Sequence, residues 1–302
     1  MSGFEKLKVS VTGSCQVSAI APALQAMLPG ARIEGYHLGV NPPRSDAEVA
    51  ERISDSDIVF CQMDPEAPDP LALEVLRERG LSVVFLPIFA FSGLHPDFTY
   101  VFADADAQAR GALGPMHSAI IAGAYALGLT PERAVRLFNS YVCSRLGYFS
   151  AFEAAKATAI HSFGRDGYDI ADCFDDWMAE GSFMHTPNHP ASRVVATFSR
   201  MALNKSVITQ VDLDPLNVPD YLGTQLLWTV YREIAARLGA EGTRELLLPI
   251  SPTGERRQLP LLEFAQASYQ SFDVSDPAVL RVDRVDWVVE GLRDVVGIRA
   301  AA

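Results

Sequence analysis

Val9-Ser10-Val11-Thr12-Gly13-Ser14-Cys15-Gln16-Val17 places a cysteine on a small-residue turn, between a β-branched run and a helical pattern that starts near Gln16. At the carboxyl end of a first parallel strand, such a turn presents its side chain to the crevice where open α/β sheets bind ligands. The positive end of the following helix favours a thiolate there, and it also suits a phosphate or an oxyanion on Gly13 and Ser14. The alternative is that Cys15 is a small apolar core residue, and turn position alone leaves the two readings even. Met184-His185-Thr186-Pro187-Asn188-His189-Pro190 precedes a helical pattern from Ala191 to Leu203. Asn188 or His189 would cap that helix, with Pro190 in its first turn. A histidine at a helix start is held neutral, as a general base must be, although capping alone also explains these residues. The stretch Phe85 to Asp97 leaves a strand and carries His95 and Asp97 on a loop, and Cys61-Gln62-Met63-Asp64 ends another strand in the same way. Asp64 and Asp97 read more simply as turn residues.

The elements that must position these groups alternate through the first ninety residues. Strands are expected over Leu7–Thr12, Arg32–Leu38, Asp57–Cys61 and Leu81–Leu86, and helices over Gln16–Leu28, Ser45–Ile53 and Pro70–Arg79. That order implies βαβ units and a parallel sheet covered on both faces. Beyond about Gly114 helical patterns dominate: His117–Leu127, Pro131–Leu146, Ala151–His161, Ile170–Ala179, Ala191–Leu203 and Tyr221–Leu238 with Gly239 as its stop. Leu246–Pro260 reads as extended or loop, and Val285–Val296 as a terminal helix. The expected class is α/β: a Rossmann-like parallel core over residues 1–110, and a mainly helical portion over 111–302 that carries Asn188-His189-Pro190 and packs on the core.

Composition narrows the partners. A formal net charge of -12 argues against a nucleic-acid or anionic-membrane surface and favours a small-molecule ligand. No apolar run reaches the length of a spanning helix and no leader pattern opens the sequence, so a cytoplasmic location is expected. Cys15, Cys61, Cys143 and Cys173 are scattered without a CxxC pair, which suggests neither a disulfide framework nor a zinc site.

Together, Gly13-Ser14-Cys15-Gln16, the loop Pro87-Ile88-Phe89-Ala90-Phe91-Ser92-Gly93-Leu94-His95-Pro96-Asp97, and Phe183-Met184-His185-Thr186-Pro187-Asn188-His189-Pro190 resemble the WcbI family over roughly the first two hundred residues. The resemblance implies an α/β acetyltransferase that binds coenzyme A or acetyl-CoA, without a metal, and acetylates a saccharide of a bacterial capsule. It further implies Cys15 and Gln16 as pocket residues and His189, beside Asn188, as the base. Gln16 and the helix-start N–H groups would hold the oxyanion. Apart from the resemblance, Gly13, Ser14 and His95 are candidate cofactor contacts, and a phosphate would recruit a cation such as Arg145, Lys156 or Arg165, each of which reads more simply as a solvated surface charge. The layout is also similar to SGNH-type hydrolases, from which the sequence departs at Cys15, where serine is usual, and at Thr186, where an aspartate three residues before the histidine is usual. With that relay incomplete, direct transfer with His189 activating the hydroxyl is expected over an acyl-Cys15 route. The alternatives are a Cys/His esterase or thioesterase, and a non-catalytic CoA- or nucleotide-binding scaffold. The acceptor sugar and the oligomeric state are not encoded in any motif.

Overall fold

The computed structural model describes residues 6–38, 46–62, 71–102, 108–206, 208 and 218–297. The expected alternation is present: β1 (Lys8–Gly13), α1 (Val17–Met27), β2 (Arg32–His37), α2 (Asp46–Arg52), β3 (Ile58–Cys61), α3 (Leu73–Glu78) and β4 (Val83–Phe85). All four strands pair in parallel, in the order β2-β1-β3-β4. The chain runs outward from β1 to β2, returns past β1 to β3 and continues to β4. The topological switch point therefore lies between the carboxyl ends of β1 and β3, the place where such sheets bind ligands.

Both faces of this sheet are covered. Tyr36, Val59 and Cys61 are buried with Val49 and Ala50 of α2, Ile53 just after it, and Leu73 and Leu76 of α3. Gly35, on the opposite side of the pleat, lies under Val17 and Ala21 of α1. Cys61 is thus a core residue, its Sγ donating to the Leu71 carbonyl at 3.4 Å. Met63, Asp64, Ser45 and Pro70 fall outside the described residues.

After β4 the elements are β5 (Phe98–Tyr100), β6 (Met116–Ser118), α4 (Ala119–Ala126), α5 (Pro131–Arg136), α6 (Ser140–Arg145), α7 (Ala151–Arg165), α8 (Cys173–Ala179), β7 (Met184–Thr186), β8 (His189–Pro190), α9 (Ser192–Asn204), α10 (Arg232–Leu238), β9 (Glu245–Leu247), β10 (Gln258–Pro260), α11 (Leu261–Asp273) and α12 (Asp283–Val296). The chain forms two compact units, one of residues 1–90 with 158–224 and the other of residues 91–157 with 225–302. It passes between them three times, once within α7, so a single cut near residue 110 does not describe the division. The Asn188-His189-Pro190 segment belongs to the same unit as the Gly13-Ser14-Cys15-Gln16 turn.

Four expected elements are corrected. His117 lies on β6, which pairs antiparallel with β5, and α4 starts only after Ser118 caps it through the Ile121 N–H. The expected helix over Pro131–Leu146 is two helices, because the Asn139 side chain accepts the Val142 N–H at 3.1 Å and starts a new one. Between Tyr221 and Leu238 only a 3-10 turn at Leu222–Thr224 and α10 are helical. The segment before α9 is an antiparallel hairpin of β7 and β8, and the cap of α9 is Ala191, without a side-chain bond. Neither Asn188 nor His189 caps that helix. Helix α11 was not anticipated.

The second unit is organised around Asp97, which is fully buried. Its Oδ1 accepts the Ile120 N–H at 2.8 Å and the Tyr148 hydroxyl at 3.0 Å, and its Oδ2 accepts the Tyr231 hydroxyl at 3.0 Å. Asp97 is therefore the polar centre of this unit and more than a turn residue.

Candidate active site

The end of β1 brings the sequence motif to the switch point. Gly13 closes the strand, Ser14 and Cys15 form the turn, and the helical hydrogen bonds begin with the Val17 N–H donating to the Ser14 carbonyl at 3.0 Å. Cys15 is half-buried. On the hairpin, His189 Nε2 lies 3.2 Å from Cys15 Sγ, a hydrogen bond that joins residues 174 positions apart.

Gln16 holds this arrangement together. It is only 3% exposed, and its Nε2 donates to the carbonyls of Phe89 at 2.7 Å and Asn188 at 2.8 Å. Its Oε1 accepts the Phe89 N–H at 3.2 Å and Gln62 Nε2 at 3.3 Å. One buried amide thus ties the β1 turn, the segment after β4 and the hairpin into a single frame. Both of its N–H groups are used, so the expectation that the Gln16 side chain holds an oxyanion is corrected: it fixes the position of His189 through the neighbouring Asn188 carbonyl. Asn188 enters the site by its backbone, its side chain accepting the Thr186 hydroxyl at 2.8 Å.

The frame is rigid at its far end as well. The Phe89 ring packs with Phe198 at 5.0 Å, Phe163 and Trp177 at 5.4 Å and Phe183 at 6.4 Å between centroids. Such packing fixes the backbone that Gln16 grips.

Gln62, directly after β3, is the residue whose role the sequence did not reveal. Its Oε1 accepts both the backbone N–H and the hydroxyl of Ser14 at 3.1 Å. Ser14 and Gln62 therefore brace the turn from the neighbouring strand end. Gly13 makes this approach possible, since a Cβ there would stand 2.5 Å from the Gln62 Cβ. Gly13→Ala is expected to cost about 1–3 kcal/mol through this overlap and to slow alkylation of Cys15 as the turn shifts; a denaturant midpoint and a timed thiol assay check both. The position of Gln62, one residue past the strand that borders the switch point, is the signal that marks it.

The electrostatics describe a neutral pair at rest. Burial pushes the Cys15 thiol up from its ordinary value, while Ser14 and the N–H groups of Cys15 and Gln16 oppose the shift. Burial, with the nearby His185, pushes His189 down. The helix start therefore does not deliver a standing thiolate, because desolvation outweighs it. Burial, and not a helix terminus, favours the neutral His189 ring, whose Nε2 can accept the thiol proton in the tautomer that carries its hydrogen on Nδ1. His189 Nδ1 is buried without a hydrogen-bond partner among the described residues.

His185 Nε2 donates to Asp220, at 3.0 Å from Oδ1 and 2.9 Å from Oδ2. The carboxylate missing at Thr186 is thus supplied from Asp220, but it meets His185 and not His189. No local signal in the sequence joins residues 35 positions apart.

The remaining expected site residues lie in the other unit. His95 is 2% exposed there, in a turn closed by its N–H to the Ser92 carbonyl at 2.9 Å. Arg145 pairs with Asp294 at 3.3 Å across an exposed surface, and Lys156 is half-buried on α7. Arg165, exposed at the end of the same helix, belongs to the first unit. Among the described residues no cluster of His, Cys, Asp and Glu is arranged to hold a metal ion, and no helix is long and apolar enough to cross a membrane.

A parallel sheet with a cysteine and a histidine in contact at its switch point defines an α/β protein with a candidate thiol–imidazole site. The model of the polysaccharide biosynthesis enzyme WcbI matches residues 8–211, and the chain belongs to that family. Among solved structures, one of WcbI, described as the native protein without a disulfide bond between coenzyme A and one of its cysteines, is similar with a TM-score of 0.59 and 19% identity, over 95% of this chain and 98% of that one. At that identity the likeness is one of fold. Among curated protein sequences none matches.

Proposed function

We propose that this chain is a CoA-dependent acyltransferase, moving an acetyl group from acetyl-CoA to a saccharide hydroxyl through an acyl-Cys15 intermediate. The observation that carries this reading is the 3.2 Å contact between Cys15 Sγ and His189 Nε2 at the switch point. It supplies the relay whose apparent absence from the sequence favoured direct transfer. The solved WcbI, described as lacking a disulfide between coenzyme A and one of its cysteines, adds support only in that its description names coenzyme A together with a protein cysteine.

In the first step His189 Nε2 takes the Cys15 proton as the sulfur attacks the acetyl carbonyl. The carbonyl oxygen becomes an oxyanion at the start of α1, beside the backbone N–H groups of Cys15 and Gln16, the latter now donating to the Ser14 hydroxyl at 3.4 Å. The tetrahedral centre collapses, the carbon–sulfur bond to CoA breaks, and His189 returns its proton to the leaving CoA thiolate. In the second step the acceptor hydroxyl, losing its proton to a histidine of the same hairpin, attacks the thioester and releases Cys15. A resting neutral pair fits this sequence, because each step moves a proton and leaves no buried charge behind.

Alkylation with iodoacetamide, read peptide by peptide, tests the site. Cys15 is expected to react first and to be slowed by added CoA. Cys61 is buried, and burial pushes the Cys143 thiol up to about 12. Protection by CoA at Cys173 in place of Cys15 would place the ligand elsewhere. Product analysis with acetyl-CoA, with and without saccharide, separates transfer from thioester hydrolysis.

A further inference from the structure

The Cys15–His189 pair leaves a second histidine of the same hairpin without a task. His185 lies on β7, and its Nε2–H donates to the Asp220 carboxylate, an arrangement that leaves Nδ1 as the ring nitrogen that can accept a proton. Asp220 is itself fixed. Its Oδ1 accepts the Gly223 N–H at 3.1 Å, and a Cβ on Gly223 would stand 2.7 Å from Oδ2. The 3-10 turn Leu222–Thr224 packs against β8, the strand of His189.

The two histidines are complementary. Among the described residues, His189 touches the nucleophile and meets no carboxylate, whereas His185 is held by a carboxylate and has no bond to a nucleophile. The His185 side chain is 14% exposed and that of Asp220 39%, so this pair reaches solvent. A hydroxyl is a much weaker acid than a thiol, and its activation calls for a base oriented by a third group. We infer that His185, oriented by Asp220, is the catalytic base for the acceptor hydroxyl, while His189 serves Cys15. This rests on the acyl-Cys15 reading and assigns its second half. His185 Nδ1 takes the hydroxyl proton as the oxygen bonds to the thioester carbon. The bond to Cys15 Sγ then breaks, His185 releases the proton to solvent, and the Cys15 thiolate regains one from solvent.

The test separates the two halves by mass spectrometry of quenched mixtures. Wild type and His185→Gln are mixed with acetyl-CoA, then chased with water alone, with glycerol as a hydroxyl probe, or with hydroxylamine, which attacks thioesters without a base. His185→Gln is expected to acylate at the wild-type rate and to discharge to water and glycerol about a hundred- to ten-thousand-fold more slowly, with discharge to hydroxylamine unchanged. Asp220→Asn, which keeps the side-chain shape, is expected to give the same pattern more weakly and guards against a folding defect in the first variant. Slower acylation to the same degree, or slower discharge to hydroxylamine, overturns the assignment. A wild type that forms no adduct at all overturns the acyl-Cys15 reading, and this inference with it, before either variant is compared.

Discussion

His189→Ala is expected to lower the rate of Cys15 acylation by acetyl-CoA about a hundred- to ten-thousand-fold, the range for loss of a general base, with CoA affinity nearly unchanged. The 3.2 Å contact puts His189 Nε2 where it can accept the thiol proton, and burial raises the thiol, which works against its ionising unaided. A neutral imidazole beside the thioester contributes little to ground-state binding, so the loss falls on turnover. Pre-steady-state acylation and CoA titration calorimetry check the two halves. Parallel losses in binding and rate would mark His189 as a structural residue. His95→Ala is the control, expected to act on the stability of its own unit, where the ring is buried.

Asp97→Ala is expected to destabilise the protein by about 3–5 kcal/mol, because it strands the Ile120 N–H and the hydroxyls of Tyr148 and Tyr231 in the interior. Asp97→Asn separates charge from shape. Burial, opposed by bonds from Ser118, Ile120, Tyr148 and Tyr231, raises the Asp97 carboxyl from 3.8 to about 6. A raised carboxyl stabilises the fold fully below its unfolded value and loses that contribution as the pH climbs through about 6. The advantage of wild type over Asp97→Asn should therefore shrink by about 3 kcal/mol, two pK units' worth, between about pH 3.8 and pH 7. Urea midpoints of both proteins across that range check the sign. An advantage that grows with pH would show that the carboxylate is stabilised by its donors more than burial penalises it.

The part of the fold that was legible is the part governed by local periodicity. Val9 to Thr12 and Ile58 to Cys61 are β-branched or apolar runs, and each forms a strand of the parallel sheet, whereas Arg32 to His37 forms one with only Ile33 and Tyr36 as large apolar residues. The Gly13-Ser14-Cys15-Gln16 turn was legible for the same reason. What was not legible depends on pairing at a distance. Strands β5 and β6 have three residues each and exist because they pair with one another, so His117 and Ser118 of β6 read as the start of a helix. The hairpin of β7 and β8 was read as a helix cap, since Asn188 and Pro190 suit one equally well. Asn139 did carry a local signal, a cap residue in the middle of a helical pattern. In the candidate site, the fold brings together Cys15, Gln16 and His189, which their motifs single out, but the bonding of Gln16 has no signal in the sequence: only the fold shows Phe89 and Asn188 converging on its amide. Asp220 lies too far along the chain from His185 for any spacing rule to join them.

The central claim, that Cys15 carries the acyl group, is tested most directly by the intact mass of wild-type protein quenched within milliseconds of mixing with acetyl-CoA in the absence of saccharide. One acetyl group per chain, mapped to Cys15 and absent from Cys15→Ser, is the expected result. An unmodified Cys15 in a protein that nevertheless transfers acetyl groups to a saccharide would contradict the account.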